Sequence, residues 1–155
     1  MPDEPTIFLN GQYLPRSSAM VSVDDRGLTF ADGVYDVMRY VGGRPFEMGA
    51  HLARLRQSLA GISLAEPSWV EKLPRVSDEL VRRNDLTDAA VYWAITRGPG
   101  PRDRRYPDQP QPTVLATADA VPPLRADDPL PTRTATVVED LRWGRCDIKA
   151  LMLLP

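Results

Sequence analysis

Two of the 19 basic side chains in this sequence are lysines, Lys72 and Lys149, and the rest are arginines. Lys72 lies in a polar amphipathic stretch where a solvated ammonium costs nothing. Lys149 lies between Ile148 and the run Ala150-Leu151-Met152-Leu153-Leu154, a setting that predicts loss of solvent around the amine. Desolvation disfavours the ammonium and lowers its pKa, and a partly neutral amine can attack a carbonyl. A guanidinium stays protonated, so arginine cannot substitute in such chemistry. The competing reading is a lysine that snorkels out of an apolar segment with its stem buried.

Three further groups carry chemistry. His51 and Arg54 stand three apart, a helical spacing that can present donors to an anion near a helix start; a solvated polar flank is the alternative. Arg102, Arg104 and Arg105 concentrate charge in the glycine- and proline-rich stretch from Arg97 to Pro107, where guanidinium groups could take a carboxylate through paired hydrogen bonds or simply keep a surface loop soluble. The segment Asp24-Asp25-Arg26-Gly27-Leu28-Thr29-Phe30-Ala31-Asp32-Gly33-Val34-Tyr35 has no simple period and reads either as a chemically loaded loop or as a connector of Asx turns.

The elements that must position these groups follow from turns and periodicity. Asn10-Gly11 between Thr6–Leu9 and Gln12–Leu14 predicts a tight hairpin, and Gly42-Gly43 between Asp36–Val41 and Arg44–Phe46 predicts a second. Alternation along the second places Tyr35, Val37 and Arg39 on one face and Asp36, Met38 and Tyr40 on the other. From Gly49 to Ile62 the stripe Leu52, Leu55, Leu59, Ile62 predicts a helix. Pro67 to Asn84 predicts another, kinked or divided at Pro74. Ala89–Thr96 and Thr113–Thr117 predict strands, Thr134–Val138 one more, and the proline-rich residues 120–131 a linker. The fold class expected is α+β, an antiparallel sheet with two helices.

At 155 residues and 43% apolar content, one domain with a core, or one domain and part of a second, is affordable. A formal charge of −2 supplies no basic field, so neither nucleic acid nor an anionic membrane is the expected partner. No apolar run approaches the roughly 20 residues of a membrane span, and the acidic start lacks a signal core. A single cysteine, Cys146, leaves no internal disulfide and fits a cytoplasmic location. With one histidine beside it, a zinc site is not expected, and no metal is assigned.

Arg142-Trp143-x-Arg145-Cys146-Asp147-Ile148-Lys149-x-Leu151 resembles the segment that carries the cofactor lysine in fold-type IV pyridoxal-phosphate enzymes, D-amino-acid aminotransferases in particular. Asp25-Arg26-Gly27 with Gly33-Val34-Tyr35, and His51-x-x-Arg54-Leu55-x-x-Ser58-Leu59, resemble further segments of that family. The resemblance implies pyridoxal 5'-phosphate on Lys149, which also carries the proton, and its phosphate on Arg54. It implies that Tyr35 and Arg102 bind the substrate carboxylate. Arg104 stands where the family has a histidine, and Asp36 where it usually has glutamate. The implied reaction is transamination between a D-alanine-like amino acid and a 2-oxo acid such as 2-oxoglutarate, in a homodimer. Branched-chain transamination, the aminodeoxychorismate lyase reaction and a non-catalytic interaction module remain alternatives. Because the family fold is about twice as long, residues 1–119 are expected to be its N-terminal domain, 120–131 a linker and 132–155 the start of a truncated second domain, with weak or no cofactor binding by the fragment.

Overall fold

The computed structural model describes residues 4–123, 132–137, 139 and 144–152. Strands β1 (Thr6–Leu9) and β2 (Gln12–Pro15) are joined by Asn10 and Gly11 at φ of 48° and 94°, the left-handed pair that a two-residue hairpin needs. After a 3₁₀ turn at Arg16–Ser18, one helical turn, α1 (Arg26–Phe30), is capped by the Asp25 carboxylate, which accepts from the Gly27 N–H. This turn lies inside the segment read as aperiodic. Five residues are too few to display a helical repeat.

β3 (Gly33–Val41) and β4 (Arg44–Pro45) form the second hairpin, followed by α2 (Met48–Gly61). Helix α3 (Leu73–Arg83) is preceded by a 3₁₀ turn at Val70–Lys72, with Pro74 in its first turn. Proline there lacks only an N–H that would have no helical partner, so the division falls where the sequence places it. β5 (Ala89–Thr96) and β6 (Thr113–Ala120) complete a six-stranded sheet of order β2-β1-β6-β5-β3-β4, antiparallel at every pairing. The architecture is α+β, with α1 added to the two expected helices. β6 reaches Ala120, the first residue of the expected linker, and residues 124–131 of that linker lie outside the described residues. Residues 134–137 form no strand, and Val137 is 99% exposed. A β-branched run becomes a strand only against a partner ladder, and no pairing includes these residues. Val138 lies outside the described residues.

One face of the sheet carries the core. Val34, Met38 and Tyr40 of β3 and Val91, Trp93 and Ile95 of β5 pack there with Leu55 and Leu59 of α2 and Leu73, Val76 and Leu80 of α3. Truncating any one of these fully buried leucines to alanine costs about 2–5 kcal/mol. The Trp93 indole N–H donates to Ser77 Oγ, which donates to Leu73 O, so both of these buried polar side chains are paired. Among the described residues no helix is long and apolar enough to cross a membrane.

Candidate active site

β5 flanks β3 from Gly33 to Tyr40, whereas β4 pairs with it only at Tyr40 and Val41. The start of β3 therefore offers an open edge, and residues 149–151 take it. Tyr35 N–H donates to Lys149 O and Leu151 N–H to Gly33 O, both at 3.0 Å, and Val34 bridges Ala150. Two glycines make the seat. A Cβ on Gly33 would stand 2.7 Å from Leu151 Cδ1, and one on Gly61 would stand 2.8 Å from Ile148 Cγ1. Ile148 thereby enters the core, and the Lys149 N–H donates to Oγ of the fully buried Ser58 on α2 at 3.1 Å.

With Ile148 and Ala150 turned to the core, alternation sends the Lys149 side chain to the opposite face. There its Nζ stands 4.3 Å from the Tyr35 ring centroid, within reach of the ring quadrupole. Tyr35 lies 5.7 Å from the Tyr92 ring, and burial together with the neighbouring Tyr35 pushes the Tyr92 phenol up from its ordinary pKa. The lysine is half-buried against the Tyr35 ring rather than enclosed by its own apolar neighbours, and Met152 is 55% exposed.

His51 and Arg54 do meet an anion, and it is Asp36. That carboxylate, wholly buried, accepts from Arg54 Nε and Nη2 at 2.7 Å each, and His51 Nδ1 lies 2.7 Å from its Oδ1. The bond from Asp36 raises the Arg54 pKa further, and the nearby Tyr35 adds to the effect. Arg54 Nη1 is not engaged with Asp36, and 47% of the side chain faces solvent. One edge of the guanidinium is fixed and the other is open to a ligand.

A second buried cluster lies beside the arginine-rich loop. Asp32 Oδ2 accepts from Arg26 Nε and Arg97 Nε, both at 2.8 Å. Burial pushes the Asp32 carboxyl up, but the bonds from Arg97 and Arg26 outweigh it and hold it below its ordinary value. Arg97 Nη2 also donates to Ile62 O at the end of α2, and its guanidinium stacks 3.8 Å from the Tyr106 ring centroid. Arg102 and Arg104 are exposed. Among the described residues neither makes a hydrogen bond with Tyr35, Lys149 or Arg54. Arg104 instead lines a cleft of about 300 Å³ with Arg26, Phe30, Ile62, Tyr106 and Ala150.

The structure thus gathers Lys149, Tyr35 and Arg54 at one sheet edge and leaves Arg102 and Arg104 on a neighbouring loop. Sequence reasoning missed Ser58 as a neighbour of the lysine and Tyr92 as a neighbour of Tyr35, and gave no role to Asp36. The Ser58 oxygen and Lys149 are 91 residues apart, so no local pattern joins them; alternation alone could have paired Tyr92 with the Tyr35 face. The amine and the half-open guanidinium could hold a phosphorylated carbonyl compound. Among the described residues no group of three or more His, Cys, Asp or Glu is placed to hold a metal.

Comparison with known proteins fits this geometry. The chain is 37% identical to a D-alanine aminotransferase of Staphylococcus haemolyticus over 150 residues, 96% of this chain and 52% of that protein. It is 39% identical to one from Listeria innocua over the same shares. The chain therefore spans about half the length of the curated relatives it matches. Among solved structures, the branched-chain amino acid aminotransferase of Escherichia coli superposes with a TM-score of 0.71 at 21% identity, covering 76% of this chain and 40% of that one. At that identity the likeness speaks for the fold alone. The family model for amino-transferase class IV matches residues 33–155, from the start of β3 through the lysine segment, and the chain belongs to that family.

Proposed function

We propose that the protein carrying this chain catalyses transamination between a D-alanine-like amino acid and a 2-oxo acid such as 2-oxoglutarate, using pyridoxal 5'-phosphate held by Lys149. The observation that carries this reading is the placement of the Lys149 amine: its backbone is bonded to β3 and α2, and its Nζ lies over Tyr35. The names of the relatives at 37 and 39% identity point to D-alanine.

The residues fit the cofactor. Lys149 supplies a primary amine, and Arg54 supplies solvent-facing donors for a phosphate. When bound, pyridoxal phosphate provides the electron sink that makes an amino acid's α-proton removable. Lys149 Nζ then takes that proton from one carbon and returns it to another, as general base and acid. Tyr35, Arg102 and Arg104 orient the carboxylate. We further propose a cytoplasmic homodimer with 1–119 as its N-terminal domain, 120–131 as linker and 132–155 opening the next domain.

Borohydride reduction in the presence of pyridoxal phosphate should label Lys149, and Lys149→Ala should abolish both label and turnover. Activity with D-alanine and 2-oxoglutarate should exceed that with L-leucine. Label on another residue would remove the reading, and preference for L-leucine would move it to branched-chain substrates.

A further inference from the structure

The loop from Arg97 to Pro112 is rich in glycine and proline and holds no helix or strand, so tethers must set the position of its side chains. Two tethers act near its base, where Arg26 N–H donates to Gly98 O at 2.9 Å and Gly100 N–H to Asp24 O at 3.1 Å. A third reaches its tip. Arg26 Nη1 donates to Asp103 O at 2.7 Å, and Asp103 is the residue between Arg102 and Arg104. Asp103 is also the pivot of the tip: its N–H donates to Pro101 O and its carboxylate accepts from the Arg105 backbone and guanidinium.

Arg26 is suited to hold that carbonyl. It is 3% exposed, its Nε is fixed on Asp32, and its guanidinium lies 4.7 Å from the Phe30 ring centroid. A planar guanidinium can point separate donors at Asp32 and at Asp103 O in one fixed geometry, which a lysine ammonium cannot reproduce. We infer that Arg26 is a positioning residue for the substrate-facing loop: anchored on Asp32, it fixes the Asp103 carbonyl and with it Arg102 and Arg104. This rests on the reading that those two arginines meet the substrate carboxylate.

The test is Arg26→Lys in the whole protein, which keeps the charge beside Asp32. The KM for both the amino acid and the oxo acid should rise about tenfold, with kcat and pyridoxal phosphate affinity within about twofold, and amide hydrogen exchange at Asp103–Tyr106 should quicken. Combining Arg26→Lys with Arg104→Ala should cost less than the product of the two. Unchanged exchange at the tip, or a joint fall in kcat, cofactor affinity and Tm with KM unmoved, would overturn the inference and leave Arg26 a scaffold residue. If exchange quickens but Arg102→Ala and Arg104→Ala leave KM untouched, the tether stands and the carboxylate role of the loop is what fails.

Discussion

Asp32 and Asp36 lie on either side of Tyr35, and each holds two basic side chains at hydrogen-bonding distance. Their partners differ in what they have left to give. Around Asp32 the Arg26 and Arg97 side chains are 4% and 2% exposed, and further donors turn to the carbonyls of Asp103, Ile62 and Ser63. Around Asp36 the Arg54 side chain remains 47% exposed. An arginine enclosed this way is joinery between segments. One gripped along a single edge is oriented for something else to bind.

The largest effect that tests this contrast is on stability. Asp32→Ala leaves two desolvated guanidiniums without a counter-charge, and removing one partner from such a buried network costs about 3–5 kcal/mol. Asp36→Ala leaves an arginine that can turn into water, and should cost about 1–3 kcal/mol. Urea unfolding of the two variants measures the difference. Equal losses would erase the distinction between the clusters.

A smaller and opposite asymmetry is expected in binding. Arg54→Gln should weaken pyridoxal phosphate by about 1.5–3 kcal/mol, the range for hydrogen bonds to a charged group, while Arg97→Gln should lower the urea midpoint and leave cofactor affinity near the wild-type value. Absorbance titration of the whole protein reads the first and denaturation the second. An Arg54→Gln protein that binds normally would assign the open guanidinium edge to some other ligand.

Both clusters were hard to see in the sequence for the same reason. The hairpin at Asn10-Gly11, the stripe through Leu55 and Leu59 and the break at Pro74 are local, because each follows from a dihedral preference or a repeat within a few residues. The two faces of β3 were legible too, since alternation alone puts Asp36 with Met38 and Tyr40. What Asp36 meets there was not, because Arg54 lies 18 residues on, and Asp32 meets Arg97 65 residues on. The lysine was legible as a scarce residue type in an apolar setting, and family resemblance gave it a partner class. Its seat was not, since that depends on β4 being too short to cover β3 and on missing Cβ atoms at Gly33 and Gly61. Residues 134–137 show the converse, a strand-like composition that forms no strand.

The finest test is pH. Two arginines hold the Asp32 carboxyl below its ordinary pKa despite burial, so its stabilising contribution is complete above about pH 4, the unfolded value, and is lost as the pH falls through the folded one. The stability gap between wild type and Asp32→Asn should therefore stay flat from neutrality down to about pH 5 and close only in stronger acid. Urea midpoints across that range measure it. Had burial outweighed the guanidiniums, the folded pKa would lie above the unfolded one and the gap would change with pH on the near-neutral side of about 4. A gap that changes there would mean that Asp32 is a buried acid tolerated by the fold, and Arg26 would lose the anchor on which its hold over Asp103 depends.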